Sequence, residues 1–120
     1  MNRARLGRAG ERKAARWLRR RGLRIIVRNW TRPGVGELDL VALDGDVLVI
    51  VEVRTSSATS SFAGGPALTV GPEKRRRLTR LAQLYLLESR SRARPTRFDV
   101  VGVTRRGFGR WDIRWYRGAF

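Results

Sequence analysis

The sequence predicts an α/β fold in which a mixed central sheet is flanked by helices. Two stretches, at about 3–21 and 73–90, have the apolar spacing of amphipathic helices. Short runs rich in β-branched and aromatic residues alternate with turn signals and predict five strands. At 120 residues the chain has the usual size of one domain, so we expect a single domain over residues 1–120.

The first helix is predicted from apolar or small residues three or four positions apart, with arginine filling most of the other positions. This set is Leu6, Gly10, Ala14, Trp17 and Leu18. Gly22 is a natural helix stop, because glycine readily adopts the left-handed conformation that ends many helices. Residues 23–29, LRIIVRN, predict the first strand, and residues 31–36, TRPGVG, have turn chemistry.

A hairpin is predicted next. Residues 36–43, GELDLVAL, alternate, which places Glu37, Asp39 and Val41 on one face and Leu38, Leu40 and Ala42 on the other. Asp44-Gly45-Asp46 is a hairpin turn signal. The following run, VLVIVEVR, is apolar on both faces until Glu52, which predicts a strand at the centre of the sheet.

The second half of the chain completes the sheet. Residues 55–72 are small and glycine-rich and predict a long loop of the kind that often carries function. The helix at 73–90 follows, and RARPT at 92–96 ends it. Residues 97–104 predict a strand, which a right-handed crossover would pair in parallel with the central strand. An aromatic strand is predicted at about 111–116, and its tryptophans are expected to pack in the core.

Composition excludes several classes of site. The chain has no Cys and no His, which excludes disulfides, the usual zinc sites and histidine-based triads. It has 27 Lys and Arg against 10 Asp and Glu, a net charge of +17. Such a surface attracts polyanions, so nucleic acid is the expected partner, ahead of an acidic protein or an anionic membrane face. No run approaches the roughly 20 apolar residues of a membrane span, and no signal peptide is evident, so we expect a cytoplasmic protein.

Carboxylates within the apolar hairpin indicate a metal site. Asp39 and Glu52 are equidistant from the turn, so they should lie opposite each other with Cβ atoms about 5 Å apart. Two carboxylates this close repel unless a cation lies between them, and oxygen ligands favour Mg²⁺ or Mn²⁺. The carbonyl of Val53 is a further candidate ligand, and Arg54 shares the face of Glu52. The alternative is that these acids only pair with the abundant arginines.

The first turn of the second helix is strongly basic, with Lys74, Arg75, Arg76 and Arg77 in succession. A helix N-terminus already favours anions, so this turn is a candidate phosphate contact for nucleic acid. An ordinary solvated helix face is the alternative.

These segments together resemble a known family. GERKAARWL, VRNWTRPGVGELDLVALDGDVLVIVEVRT, EKRRRLTRLAQLYL and RFDVVGV look like the endonuclease-like YraN family, over about residues 7–104. GELDL followed by VEVR resembles the pattern of the wider PD-(D/E)xK nuclease superfamily. The resemblance implies a restriction-endonuclease-like α-β-β-β-α-β core, similar to that of Holliday-junction resolvases, and two-fold dimers like those of resolvase relatives.

The resemblance also implies roles for matching residues. Asp39 takes the place of the metal-binding aspartate, Glu52 that of the ExK acid, and Glu11 that of a helix glutamate reaching the metal. Glu37 belongs to the same segment and assists, or pairs with arginine. The implied chemistry is Mg²⁺-dependent phosphodiester hydrolysis. Arg54 departs from the pattern, because the superfamily has lysine there and arginine cannot exchange its proton.

Three functions follow as expectations. The first is an endonuclease acting on DNA, with branched or damaged DNA as candidate substrates. The second is a non-catalytic nucleic-acid-binding module of the same fold, and Arg54 in place of lysine is the feature that supports it. The third is an adaptor for an acidic protein, which would have little affinity for DNA at moderate salt.

Overall fold

The computed structural model of the chain describes residues 2–57, 70–89 and 94–120. The elements are α1 (Arg3–Arg20), β1 (Arg24–Arg32), β2 (Gly36–Asp44), β3 (Val47–Ser57), α2 (Pro72–Glu88), β4 (Thr96–Arg105) and β5 (Trp111–Tyr116). A short 3-10 turn at Gly107–Gly109 precedes β5. Of the predicted loop at 55–72, the first three residues belong to β3 and residues 58–69 lie outside the described part. The predicted helix end at 92–96 is also only partly described.

The five strands form one mixed sheet in the order β1-β2-β3-β4-β5. The first three strands form an antiparallel meander, and β5 is antiparallel to β4. β3 and β4 are parallel, and α2 lies between them in the chain, as the sequence predicted. The central position of β3 agrees with its apolar side chains on both faces. The predicted α/β fold is therefore confirmed.

Each face of the sheet is covered by one helix and one apolar core. The α1-side core contains Ala14, Ala15, Leu18, Leu23, Leu40, Ala42, Val49, Val51, Val101 and Val103. The α2-side core contains Leu38, Val41, Leu48, Ile50, Val70, Leu78, Leu81, Ala82, Tyr85 and Val100. The C-terminal aromatic residues pack against these two cores, in agreement with the prediction. Burial of these apolar side chains away from water is the main force that holds α1 and α2 against the sheet.

The predicted alternation of β2 is wrong at one point. Leu38 and Val41 belong to the α2-side core, whereas Leu40 lies in the α1-side core, so the alternation shifts between Leu38 and Leu40. The shift lies beside Asn29 of β1, whose φ of 55° is in the left-handed region. The β1–β2 register is nevertheless the same on both sides of Asn29, with Arg28 opposite Leu40 and Trp30 opposite Leu38, and the one register shift of this pair lies between Ile25 and Val27. Asp39 lies where the alternation of β2 shifts, between Leu38 and Leu40.

α1 approaches β3 very closely at Gly10. A Cβ added to Gly10 would lie 2.2 Å from Oγ1 of Thr55, far inside van der Waals contact, so only glycine fits. This contact fixes the depth at which α1 lies on the sheet. It thereby brings the next residue of the helix, Glu11, to the end of β2 that carries the acidic residues.

Candidate metal centre and its basic surroundings

Three carboxylates meet at one end of the sheet. Glu11 comes from α1, while Glu37 and Asp39 come from β2, and one oxygen of each lies within 4.8 Å of the others. Oxygen ligands bound about 2.1 Å from a Mg²⁺ ion are about 3–4 Å apart, so small side-chain rotations would let all three share one ion. Hard oxygen donors are also the ligands that Mg²⁺ and Mn²⁺ prefer. The three residues therefore fit the predicted kind of cation.

Asn29 holds two of these carboxylates in place, and sequence reasoning missed it. Its Nδ2 donates to Oε2 of Glu11 and, at 2.7 Å, to Oε1 of Glu37. The left-handed backbone of Asn29 aims the amide into the site. Asparagine tolerates that conformation better than most residues, which is the one local signal the sequence offered.

Val53 fixes the third carboxylate. Its backbone N–H donates to Oδ2 of Asp39 over 2.8 Å. One oxygen of each acid is thus oriented by a neutral N–H donor, and a cation needs only the other oxygen. The carbonyl of Val53 as a metal ligand stays a prediction.

The electrostatics of the site favour a cation. Burial, followed by the charge of Glu52, raises the pKa of Asp39 to about 7, although the Val53 N–H opposes the shift. Burial also raises the pKa of Glu11, with the Asn29 amide opposing it and Glu37 adding to it. Both carboxylates are therefore difficult to charge in the folded chain without a neighbouring positive charge.

Glu52 lies beside the three-carboxylate cluster and is held by cations of the protein. The β2–β3 pairing runs from Asp44 opposite Val47 to Leu40 opposite Val51 and ends there, so the predicted pairing of Asp39 with Glu52 stays a prediction. Asp39 is close enough to Glu52 for the charge of Glu52 to raise its pKa. Glu52 is 7% exposed. Its Oε1 accepts a hydrogen bond from Nζ of Lys74 at 2.6 Å, whereas Nε of Arg54 is 3.8 Å from the same oxygen. Glu52 as a metal ligand stays a prediction.

The four basic residues in the first turn of α2 have different surroundings. Lys74 reaches Glu52. Arg75 has two contacts within the protein. Its Nε donates to the carbonyl of Val70, just before α2, and its guanidinium lies over the ring of Phe120 at the C-terminus. Arg76 and Arg77 are exposed and, with Lys74, line an open cavity of about 640 Å³. Three of the four basic residues of the predicted phosphate contact thus line this cavity, together with Glu73, and phosphate binding there stays a prediction.

α1 presents a second basic surface. Its outward side carries exposed arginines at positions Arg3, Arg5, Arg8, Arg12, Arg16, Arg19 and Arg20. Within the described ranges, no helix has the length and apolar character needed to cross a membrane.

We expect Asn29→Ala to weaken metal binding at this site. The substitution removes the amide that orients Glu11 and Glu37, and loss of such a partner typically lowers metal affinity about 10–100-fold. Calorimetric titration with Mn²⁺ measures the change. Asn29→Gly is the control for backbone strain, because glycine adopts a φ of 55° readily. Unchanged Mn²⁺ affinity in both variants would contradict this role for the amide.

Comparison with known proteins places the chain in a family. A profile described as "Uncharacterised protein family UPF0102" matches residues 10–103. The chain belongs to the UPF0102 family. It is 47% identical to the UPF0102 protein of Symbiobacterium thermophilum over 97% of this chain and 96% of that protein. It is also 46% identical to the UPF0102 proteins of Beutenbergia cavernae and Bordetella avium over 95% of this chain, covering 94% and 73% of those proteins. This confirms the family resemblance found in the sequence.

The matched region of the UPF0102 profile contains the whole candidate site. The match begins at Gly10, one residue before Glu11 in α1, and ends at Val103 in β4. β5 lies beyond the matched residues. The acidic cluster is thus carried by the part of this UPF0102 protein that defines the family.

Proposed function

We propose that this UPF0102 protein is a divalent-metal-dependent endonuclease that hydrolyses phosphodiester bonds, with DNA as its substrate. The observation that carries the proposal is the convergence of Glu11, Glu37 and Asp39 within 4.8 Å of one another, in a chain of net charge +17. Acids are few in this sequence, and three of them are gathered where a cation fits. The surrounding positive charge suits a polyanionic substrate.

Different residues of the protein have separate roles in the proposed reaction. Exposed arginines of α1 and of the first turn of α2 bind the phosphate backbone, which is the sequence-independent part of nucleic-acid recognition. The carboxylates of Glu11, Glu37 and Asp39 hold the cation next to the scissile phosphate. A bound Mg²⁺ or Mn²⁺ supplies Lewis-acid polarisation of the phosphate and of the attacking water. Arg54, near Glu52, contributes positive charge.

A cleavage assay tests this proposal. Branched and single-stranded DNA are incubated with the protein in Mg²⁺ or Mn²⁺, and Asp39→Ala is expected to reduce the cleavage rate by about 100-fold or more. Asp46→Ala is the matched control, since it removes one exposed acid at the opposite end of the same hairpin. Equal cleavage by wild type and Asp39→Ala would refute the catalytic assignment. An RNA strand of the same sequence, used as competitor, distinguishes DNA from RNA.

A non-catalytic nucleic-acid-binding module of the same fold is the second candidate. The observation in its favour is Arg54, with Nε 3.8 Å from Glu52 Oε1, at a position where the resembled nucleases carry lysine. This candidate predicts salt-dependent DNA binding with no cleavage in either metal. An adaptor for an acidic protein would instead show little DNA binding at moderate salt. Dimerisation is a separate proposal, and sedimentation tests it directly.

A further inference from the structure

The chain contains only two lysines, Lys13 and Lys74, among its 27 basic residues. One of them, Lys74, extends from the first turn of α2 to Glu52, with 2.6 Å between Nζ and Oε1. Glu52 is almost completely buried, and its strand, β3, pairs with β2, which carries Asp39. A compact ammonium is thus directed at the acidic site from the helix that lies across it.

Lys74 is accessible from solvent as well as joined to the site. Its side chain is 38% exposed, compared with 26% for Arg54, and it is the nearer of the two to Oε1 of Glu52. It also lines the open cavity together with Arg76 and Arg77. A phosphodiester strand lying in that cavity would therefore meet Lys74, whose Nζ is 2.6 Å from Oε1 of Glu52.

We propose that Lys74 is the catalytic residue that contacts the scissile phosphate in the nuclease proposed above, on which this inference rests. An ammonium has three N–H donors, and Glu52 accepts from one, so the others serve the non-bridging oxygens of the phosphate. The positive charge then stabilises the negative charge that grows on those oxygens as water adds to phosphorus. Glu52 positions the ammonium. Neighbouring phosphates of the strand lie along the cavity beside Arg76 and Arg77.

The decisive comparison is between Lys74→Met and Arg80→Met. Arg80 is an exposed residue of the same helix that does not line the cavity, and each variant removes one cation from α2, so their DNA affinities in EDTA should lie within about threefold of each other. In single-turnover cleavage at saturating DNA and metal, Lys74→Met is expected to lose about 100-fold and Arg80→Met little. Lys74→Arg keeps the charge and should cleave within about tenfold of wild type. A purely structural ion pair predicts lower thermal stability for Lys74→Met with the saturated rate unchanged.

Acetylation provides a second readout that requires neither metal nor cleavage. In EDTA, saturating single-stranded or branched DNA should remove most of the reactivity of Lys74 toward an acetylating reagent, measured by mass spectrometry. The reactivity of Lys74 in the same buffer without DNA is the reference. Unchanged Lys74 reactivity, or Lys74→Met cleaving at the rate of Arg80→Met, overturns the inference. If Asp39→Ala still abolishes cleavage in that case, the nuclease stands without this role for Lys74, whereas absence of cleavage by wild type refutes both.

Discussion

At pH 8 and without metal, Asp39→Asn is expected to be more stable than the wild-type chain. Burial and the charge of Glu52 raise the pKa of Asp39 from 3.8 to about 7, so its charged form is disfavoured in the folded state. A pKa change of that size corresponds to about 4 kcal/mol, which is the upper limit of the gain. Asparagine keeps an oxygen that can accept from the Val53 N–H.

The pH dependence follows from the direction of the shift. Below the unfolded pKa of Asp39, near 4, the carboxyl is protonated in both states and contributes nothing to the difference. Between about pH 4 and pH 7 the unfolded chain releases this proton while the folded chain keeps it, so wild-type stability falls as pH rises. Above about pH 7 the loss is complete. The advantage of Asp39→Asn should therefore grow from pH 4 and level off above pH 7.

Urea unfolding at pH 4 and pH 8, in EDTA and then in Mg²⁺, measures both effects. At pH 8 the wild type should gain about 1.4 kcal/mol at a Mg²⁺ concentration ten times its Kd, and Asp39→Asn should gain much less. Asp46→Asn, at the exposed hairpin turn, should behave as wild type. A variant destabilised at pH 8, or one stabilised by Mg²⁺ as strongly as wild type, would contradict the assignment of Asp39 as a buried metal ligand.

Asp99→Ala is expected to destabilise the fold by about 3–5 kcal/mol, the range for removing one partner of a buried ionic network. Asp99 is fully buried in β4. Its carboxylate accepts from Arg97, from Nε1 of Trp115 and from the backbone N–H of Gly118. The substitution leaves all of these donors without their acceptor. It also removes one of the hydrogen bonds that hold the segment after β5 to the sheet, leaving that from Ala119 N–H to the carbonyl of Phe98.

Chemical denaturation of Asp99→Ala, with Asp112→Ala as control, measures this contribution. Asp112 also pairs with an arginine, but its side chain is 60% exposed, so its removal should change stability by less than about 1 kcal/mol. Tryptophan fluorescence follows the same transition, because Trp115 donates directly to Asp99. Equal stabilities of the two variants would show that the buried network contributes no more than a surface ion pair.

Periodicity and turn chemistry predicted the sheet because they are local properties. The Asp44-Gly45-Asp46 turn set the β2–β3 register, which runs through Leu40 opposite Val51 as expected. Apolar residues on both faces of β3 indicated its central position, and the helix before β4 indicated the parallel pair. That register ends one position before Asp39 and Glu52, and the nearness of these two residues is shown instead by the effect of the charge of Glu52 on the pKa of Asp39. Glu11, implied by family resemblance, does lie within reach of Asp39.

Contacts between distant segments could not be predicted in this way. The role of Asn29 depends on its left-handed backbone within a β-rich run, and the alternation of β2 gave no sign of the shift opposite it. The pairing of Lys74 with Glu52 depends on how α2 lies across the sheet, which residues 73–77 alone do not determine. The donors to Asp99 come from three separate positions, which are Arg97 in β4, Trp115 in β5 and Gly118 after β5.

The close approach of Gly10 to Thr55 has a consequence for motions of the N-terminal helix. Glu11 is the only member of the acidic cluster that is not part of the sheet, so an ion shared with Glu37 and Asp39 would tether α1 to β2. Opening of α1 would then require release of the ion. Amide hydrogen exchange in α1 should accordingly slow as the Mn²⁺ concentration increases, by an amount set by the ion's affinity for the native chain.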